Sequence, residues 1–232
     1  MKSIRKWPAL ILVSVLIICT LSGCQSHKKK KVYQNYVQDL MDVNYKGIYD
    51  GYIKNEDGNE SDAITMYNET CAALANQLIA HYSMTGSTTL TITETYNELA
   101  QNIYAQADYT VSESYEKDGT YYVDVTIYPI NILNQAYDDI IAQIETFNEA
   151  VNAGKYNDYT ETEYEEEFAL AIADILNDYC SHIEYQDAVT VTVAITDDGE
   201  YYSVDTEELQ AINDAIIALE GSGDSATAND AE

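Results

Sequence analysis

With 232 residues, 11 basic side chains against 40 acidic ones and a formal net charge of −29, the chain can bury one substantial core or two small ones. The balance argues against nucleic acid as a partner, because phosphate contacts need clustered Lys and Arg. Seven of the 11 basic residues lie in the first 31 positions (Lys2, Arg5, Lys6 and Lys28 to Lys31), and from Val32 onward only Lys46, Lys54, Lys117 and Lys155 accompany the 40 acids. The remainder carries 4 − 40 = −36, which reads as a solvated, self-repelling surface, or more sharply as one that takes divalent cations.

Met1 to Lys6 forms a positive opening, and Ala9 to Leu21 is apolar except for Ser14 and Thr20. This order is that of a cleaved export signal and is too short for a spanning helix, which needs about 20 apolar residues. Leu21-Ser22-Gly23-Cys24 resembles the lipobox of bacterial lipoproteins. That resemblance implies cleavage between Gly23 and Cys24, removal of residues 1–23, and a lipid on the Cys24 thiol. The chain is then exported and held by lipid at the outer face of the cytoplasmic membrane. Residues 24–31 read as a tether, and Lys28, Lys29, Lys30 and Lys31 sit directly after the anchor. One lipid chain holds weakly, and each lysine near an anionic surface adds roughly 1 kcal/mol.

A helix is expected from about Val32 to Tyr52, with Tyr33, Val37, Leu40, Met41 and Ile48 apolar. After a polar loop, Ser61 can cap a second helix reaching about Tyr82, with Ile64, Tyr67, Cys71, Leu74 and Leu78 as its stripe. Ser83 to Thr91 reads as a loop, and Thr95 with Glu98 fits a capping box for a third helix. Tyr109 and Val111 then lead to Asp118-Gly119, and Val123, Val125 and Ile127 share a face on the return. An Asp-Gly pair between alternating runs is a strong hairpin signal. Pro129 ends the strand.

The plan then repeats. A helix spans about Asn134 to Ala153 with Gly154 as its stop, and Thr162 with Glu165 caps the next. Val189, Val191, Val193 and Ile195 alternate with polar residues before Asp197-Asp198-Gly199, and Asp205 starts a last helix. Gly47-Ile48-Tyr49-Asp50-Gly51-Tyr52 matches Gly154-Lys155-Tyr156-Asn157-Asp158-Tyr159, and Asp118-Gly119-Thr120-Tyr121-Tyr122 matches Asp198-Gly199-Glu200-Tyr201-Tyr202. The order of the matches reads as duplication. Unit one covers 32–130, unit two 131–220, and 221–232 is a polar tail expected to be disordered. The fold expected is α+β: a duplicated unit of amphipathic helices followed by an antiparallel β-hairpin, by analogy cystatin-like or nuclear-transport-factor-like.

No nucleophile elbow, zinc-protease helix or phosphate loop is present in the sequence. Neither a cofactor nor a metal site is expected; His81 and His182 lack any ligand spacing. Cys71 and Cys180 are either two buried thiols or a disulfide, which an exported chain permits. Tyrosine is the compositional oddity, with 22 against two Phe and one Trp. Tyr49, Tyr52, Tyr121, Tyr122, Tyr156, Tyr159, Tyr201 and Tyr202 recur in both units, either as packing at equivalent corners or as an aromatic surface for a peptide or glycan. The lipobox, Lys-rich tether, helix-rich repeat and Asp-Gly-x-Tyr-Tyr hairpins together resemble uncharacterised cell-envelope lipoproteins of Gram-positive, clostridial-type bacteria. That resemblance implies a location and no activity. A non-enzymatic, membrane-anchored binding module is the leading expectation. An envelope-polymer enzyme or folding helper is second, and a transporter's solute-binding lipoprotein third.

Overall fold

The computed structural model describes residues 17–18, 26–55, 58–82, 84, 88–198 and 201–219. Gly23, Cys24 and the tail 221–232 lie outside them, as does most of the apolar segment expected to be an export signal. Within that segment, a two-residue strand, β1 (Ile17–Ile18), is described.

Helix α1 (Ser26–Met41) takes in most of the expected tether, so Lys28 to Lys31 stand on its first turns. It buries Tyr33, Tyr36, Val37, Leu40 and Met41, one helical face. The helix expected to continue to Tyr52 breaks instead. Asp42–Lys46 is a π-helical turn closed by Gly47 in the left-handed region (φ 61°, ψ 31°), whose N–H donates to the Asp42 carbonyl. A left-handed residue ends a helix, and Gly47 takes that conformation without a Cβ penalty. The wider turn buries both Val43 and Tyr45, and α2 (Asp50–Asn55) then buries Tyr52.

Helix α3 (Glu60–His81) is capped by Asn59, which accepts from the Asp62 N–H at 2.9 Å, and not by Ser61. Helix α4 (Leu90–Tyr104) starts before the expected Thr95, because Thr89 accepts from the Ile92 N–H at 3.2 Å. The earlier start brings Ile92 onto the stripe of Tyr96, Leu99 and Ile103, all buried where α4 packs on α3 and on the helix Glu161–Tyr179.

Strands β2 (Asp108–Val111), β3 (Tyr115–Lys117) and β4 (Thr120–Tyr128) follow. Both β2 and β3 pair with β4, interrupted at Ser112, whose hydroxyl accepts from the Asp124 N–H at 2.9 Å. Asp118 (φ 54°) and Gly119 (φ 83°) are both left-handed, the type I′ geometry that Asp-Gly favours in a two-residue hairpin. Helices α5 (Ile132–Gln135) and α6 (Tyr137–Asn152) meet at buried Ala136 where one helix was expected.

Helix α7 (Glu161–Tyr179) carries its capping box two residues earlier than expected. Thr160 Oγ1 accepts from the Glu163 N–H, and Glu163 accepts from the Thr160 N–H at 2.8 Å. After a 3₁₀ turn (Cys180–His182) come β5 (Val189–Asp197), β6 (Tyr201–Ser203) and α8 (Thr206–Ile216). Asp205 caps α8 by accepting from the Glu207 N–H at 2.8 Å.

The two hairpins join into one antiparallel sheet, ordered β1-β6-β5-β4-β2 with β3 also paired to β4, because β4 pairs with β5 from Tyr121↔Ile195 to Ile127↔Val189. The architecture is α+β. Where β5 outruns β6, the Glu208 carboxylate of α8 accepts from the Ala194 N–H at 2.9 Å; a helix thus covers part of an open strand edge. One core cluster runs from α1 to α8.

Candidate functional site

Strand alternation divides the sheet into two unlike faces. On the inner face Tyr109, Val111, Val123, Val125, Ile127, Val193 and Ile195 are buried beneath the helices. On the other face Tyr115 pairs with Tyr122, Asp124 with Thr192, and Thr126 with both Thr110 and Thr190. Tyr115, Thr110, Thr190, Thr192 and Tyr128 are exposed there, and Tyr122, Asp124 and Thr126 half-buried. These side chains engage one another. The Tyr115 and Tyr122 rings stack with centroids 5.8 Å apart and an interplanar angle of 26°. Asp124 Oδ1 accepts from Thr192 Oγ1 at 2.7 Å and from the Tyr115 hydroxyl at 3.2 Å, and Thr126 and Thr190 hydroxyls meet at 3.3 Å. Partial desolvation, then the Asp124 charge, raises the Tyr115 phenol above its ordinary range. The phenol therefore stays protonated and keeps its donor.

The expected aromatic residues go to several places. Tyr122 alone of the eight stands on this open face with its side chain described. Tyr121 points to the inner side, where Tyr33 tilts against it at 4.9 Å and also meets buried Tyr202 edge-on at 5.2 Å. Tyr201 sits on β6 opposite Ile18. Tyr52 is buried, and half-buried Tyr49 lies edge-on to Tyr67. Tyr156 stacks on Phe147 at 5.6 Å, with exposed Tyr159 edge-on to it at 5.1 Å. Beside them Lys155 binds Glu167 at 2.6 Å, and the Tyr156 hydroxyl donates to the same carboxylate oxygen; these contacts hold Glu167 below its ordinary range. Tyr115, Asp124, Thr126, Thr190 and Thr192 were not foreseen. The alternation that put Val123, Val125 and Ile127 on one face implied their parity, but not that their face stays uncovered.

A second constellation sits where α1 begins. Lys29 Nζ lies 3.2 Å from Asp197, the Tyr33 hydroxyl donates to the same carboxylate oxygen at 2.6 Å, and the Ser114 hydroxyl donates to the Lys30 carbonyl at 3.0 Å. Burial, then Asp197, pushes the Tyr33 phenol well above its ordinary range. The start of α1 is thus fastened to both hairpins.

Cys71 and Cys180 are free thiols, each buried and pushed up to about 11, chiefly by desolvation. Among the described residues no group of three or more His, Cys, Asp or Glu could hold a metal ion, and no helix is long and apolar enough to cross a membrane. His81 stacks edge-on to Tyr82 at 4.8 Å, and His182 lies beside Ser181.

No family model and no curated protein matches the chain. A solved structure does: a candidate lipoprotein, YcdA, from Bacillus subtilis, at 13% sequence identity and a TM-score of 0.56. The match covers 83% of this chain and 58% of that one, so the likeness is one of fold, over little more than half of the neighbour's length.

Proposed function

We propose that the protein is an exported lipoprotein, lipidated at Cys24 after cleavage behind Gly23, whose domain is a non-enzymatic binding module. Its contact surface is the open sheet face of Tyr115, Tyr122, Asp124, Thr126, Thr190 and Thr192. One observation carries this reading: a sheet face that no described helix covers presents a stacked tyrosine pair beside a carboxylate and a row of hydroxyls. Aromatic rings supply apolar area with a polar tip, and the carboxylate and hydroxyls give direction. That chemistry suits the sugar rings of an envelope glycan, with a peptide strand as the other outcome to test. The shared fold of YcdA, itself a candidate lipoprotein, supports the location, as does the lipobox. The two-unit plan gains support from Gly47 and Gly154, matched in the repeat and both left-handed after a helical segment.

The test is titration of the protein with soluble peptidoglycan fragments, with chitin oligosaccharides and with envelope stem peptides, followed by calorimetry. Binding of a glycan that Tyr122→Ala or Asp124→Ala weakens at least tenfold supports the surface. Unchanged affinity in both variants removes it. Separately, Cys24→Ser should leave the membrane fraction or accumulate unprocessed; a variant still processed and anchored refutes the lipid.

A further inference from the structure

We infer that the domain stands on the membrane by one defined end, made of the first turns of α1, the β2–β3 connection, the Asp118-Gly119 turn and the adjoining end of β5, with an anionic bilayer as the surface it meets. The inference rests on the Cys24 anchor proposed above and adds an orientation to it.

The expected tether is almost entirely consumed by α1. Ser26 opens the helix and stands two residues beyond Cys24, a reach of at most about 7 Å along the chain. The helix is not free to swing. Lys29 grips Asp197 next to the β5–β6 turn, the Lys30 carbonyl takes the Ser114 hydroxyl, and Tyr33 binds Asp197 from one turn further on. Downstream, Gln34 donates to the Val111 carbonyl at 2.9 Å and Asp42 accepts from the Tyr109 hydroxyl at 2.7 Å. From Lys30 to Asp42, then, α1 and the start of the π turn follow the chain backwards from Ser114 to Tyr109. It runs along the sheet from the hairpin-turn end to the end where Asp108 pairs with Tyr128 and Ile127 with Val189. The nine residues of β4 separate these ends by about 27 Å, at roughly 3.3 Å per residue.

Charge selects the same end. Of the eight lysines from Cys24 onward, five (Lys28 to Lys31 and Lys117) belong to this end. Its described segments 28–31, 113–118 and 197–198 hold those five against five acids, while the rest of the chain from Cys24 holds three lysines against 35 acids. An anionic bilayer, which attracts lysine and repels carboxylate within a Debye length, repels this end least.

The chain, made with its own signal, is recovered from membranes and reconstituted in phosphatidylglycerol-containing vesicles that carry a headgroup nitroxide lipid. A fluorophore is placed on Glu113→Cys, beside Ser114, or on Asp187→Cys, just before β5. Both parent residues are exposed, whereas Cys71 and Cys180 are buried with raised thiol pKa values, and the unsubstituted chain carried through the same labelling is the control for them. Quenching at Glu113→Cys and its loss at Asp187→Cys is the expected result. Equal quenching at both sites, or stronger quenching at Asp187→Cys, overturns the orientation while leaving the anchor intact. Absence of the unlabelled chain from the membrane fraction overturns the anchor and this inference with it.

Discussion

Three glycines with positive φ allow a substitution series with its own reference. Gly119 (φ 83°) has nothing within 4 Å of where a Cβ would stand, so Gly119→Ala reports the backbone alone. A left-handed L residue costs about 1–2 kcal/mol. At Gly154, also φ 83°, the added Cβ meets the Asn157 amide nitrogen at 2.9 Å. That group ends an exposed side chain which can swing away, so the cost should stay close to the reference. Gly47 differs in kind. Its φ of 61° and ψ of 31° are the mildest of left-handed geometries, so its backbone cost is no larger than at Gly119. Its Cβ, however, would lie 3.2 Å from two carbons of the Tyr67 ring. That ring is half-buried on α3, edge-on to Tyr49, and has little room to retreat. Overpacking of this kind costs about 1–3 kcal/mol, for a total of about 2–5 kcal/mol at Gly47. Urea unfolding followed by far-UV circular dichroism reads the series directly, with unchanged m-values as the control for two-state behaviour. In a chain of this size each kcal/mol lowers Tm by about 2–4 °C. If Gly47→Ala costs no more than Gly119→Ala, the argument that Tyr67 closes over the end of the π turn fails.

Tyr96→Phe should cost about 1 kcal/mol, since the fully buried Tyr96 hydroxyl donates to the Ala169 carbonyl at 3.0 Å and ties α4 to α7; a neutral result in the same assay would mean that this bond contributes nothing net. Two carboxylates should move stability with pH in opposite senses. Burial raises Asp39 above its ordinary 3.8 despite the opposing Asn55 hydrogen bond, so its contribution is full below pH 3.8 and lost as pH rises through the folded value. Asp39→Asn should therefore gain on the parent at neutral pH and lose that gain on acidification. Hydrogen bonds from the Thr160 backbone and side chain lower Glu163, so its contribution is present above pH 4.5 and lost as pH falls through the folded value. Glu163→Gln should be weaker at neutral pH and converge with the parent in acid, as read from urea midpoints across pH. Cys71 and Cys180 should stay unreactive towards a thiol reagent at pH 8 in the folded chain and both titrate in denaturant; rapid native labelling of either would contradict their burial.

Local signals carried much of this fold and failed in consistent ways. Asp118-Gly119 specifies its turn through backbone geometry alone, and Asp205 stands directly before an acidic first turn and the apolar stripe of α8, so both were legible. Cap placement elsewhere was a competition between adjacent residues of similar chemistry. Asn59 stands beside Ser61, Thr89 precedes Thr95, and Thr160-x-x-Glu163 overlaps Thr162-x-x-Glu165. Burial of residues such as Ile92 decides between them, and that depends on tertiary partners. The π turn before Gly47 was hidden because the apolar spacing of an α-helix continues past it. Pairing of β4 with β5 joins residues about 70 positions apart, beyond any local pattern. The open sheet face was half legible: parity grouped Tyr122, Asp124 and Thr126, but only the placement of α1 and α8 shows which face is left to solvent.

The pairing of Ile17 with Tyr202 and of Ile18 with Tyr201 places part of the proposed signal segment on the outer edge of β6. Proteolysis before Cys24 would remove that partner and make β6 the border of the sheet. The exposed border would be three residues long, too short to template the growth of a foreign strand. The proposed cleavage would therefore take one strand from the precursor and add only this short stretch to the open edge that β5 already has beyond β6.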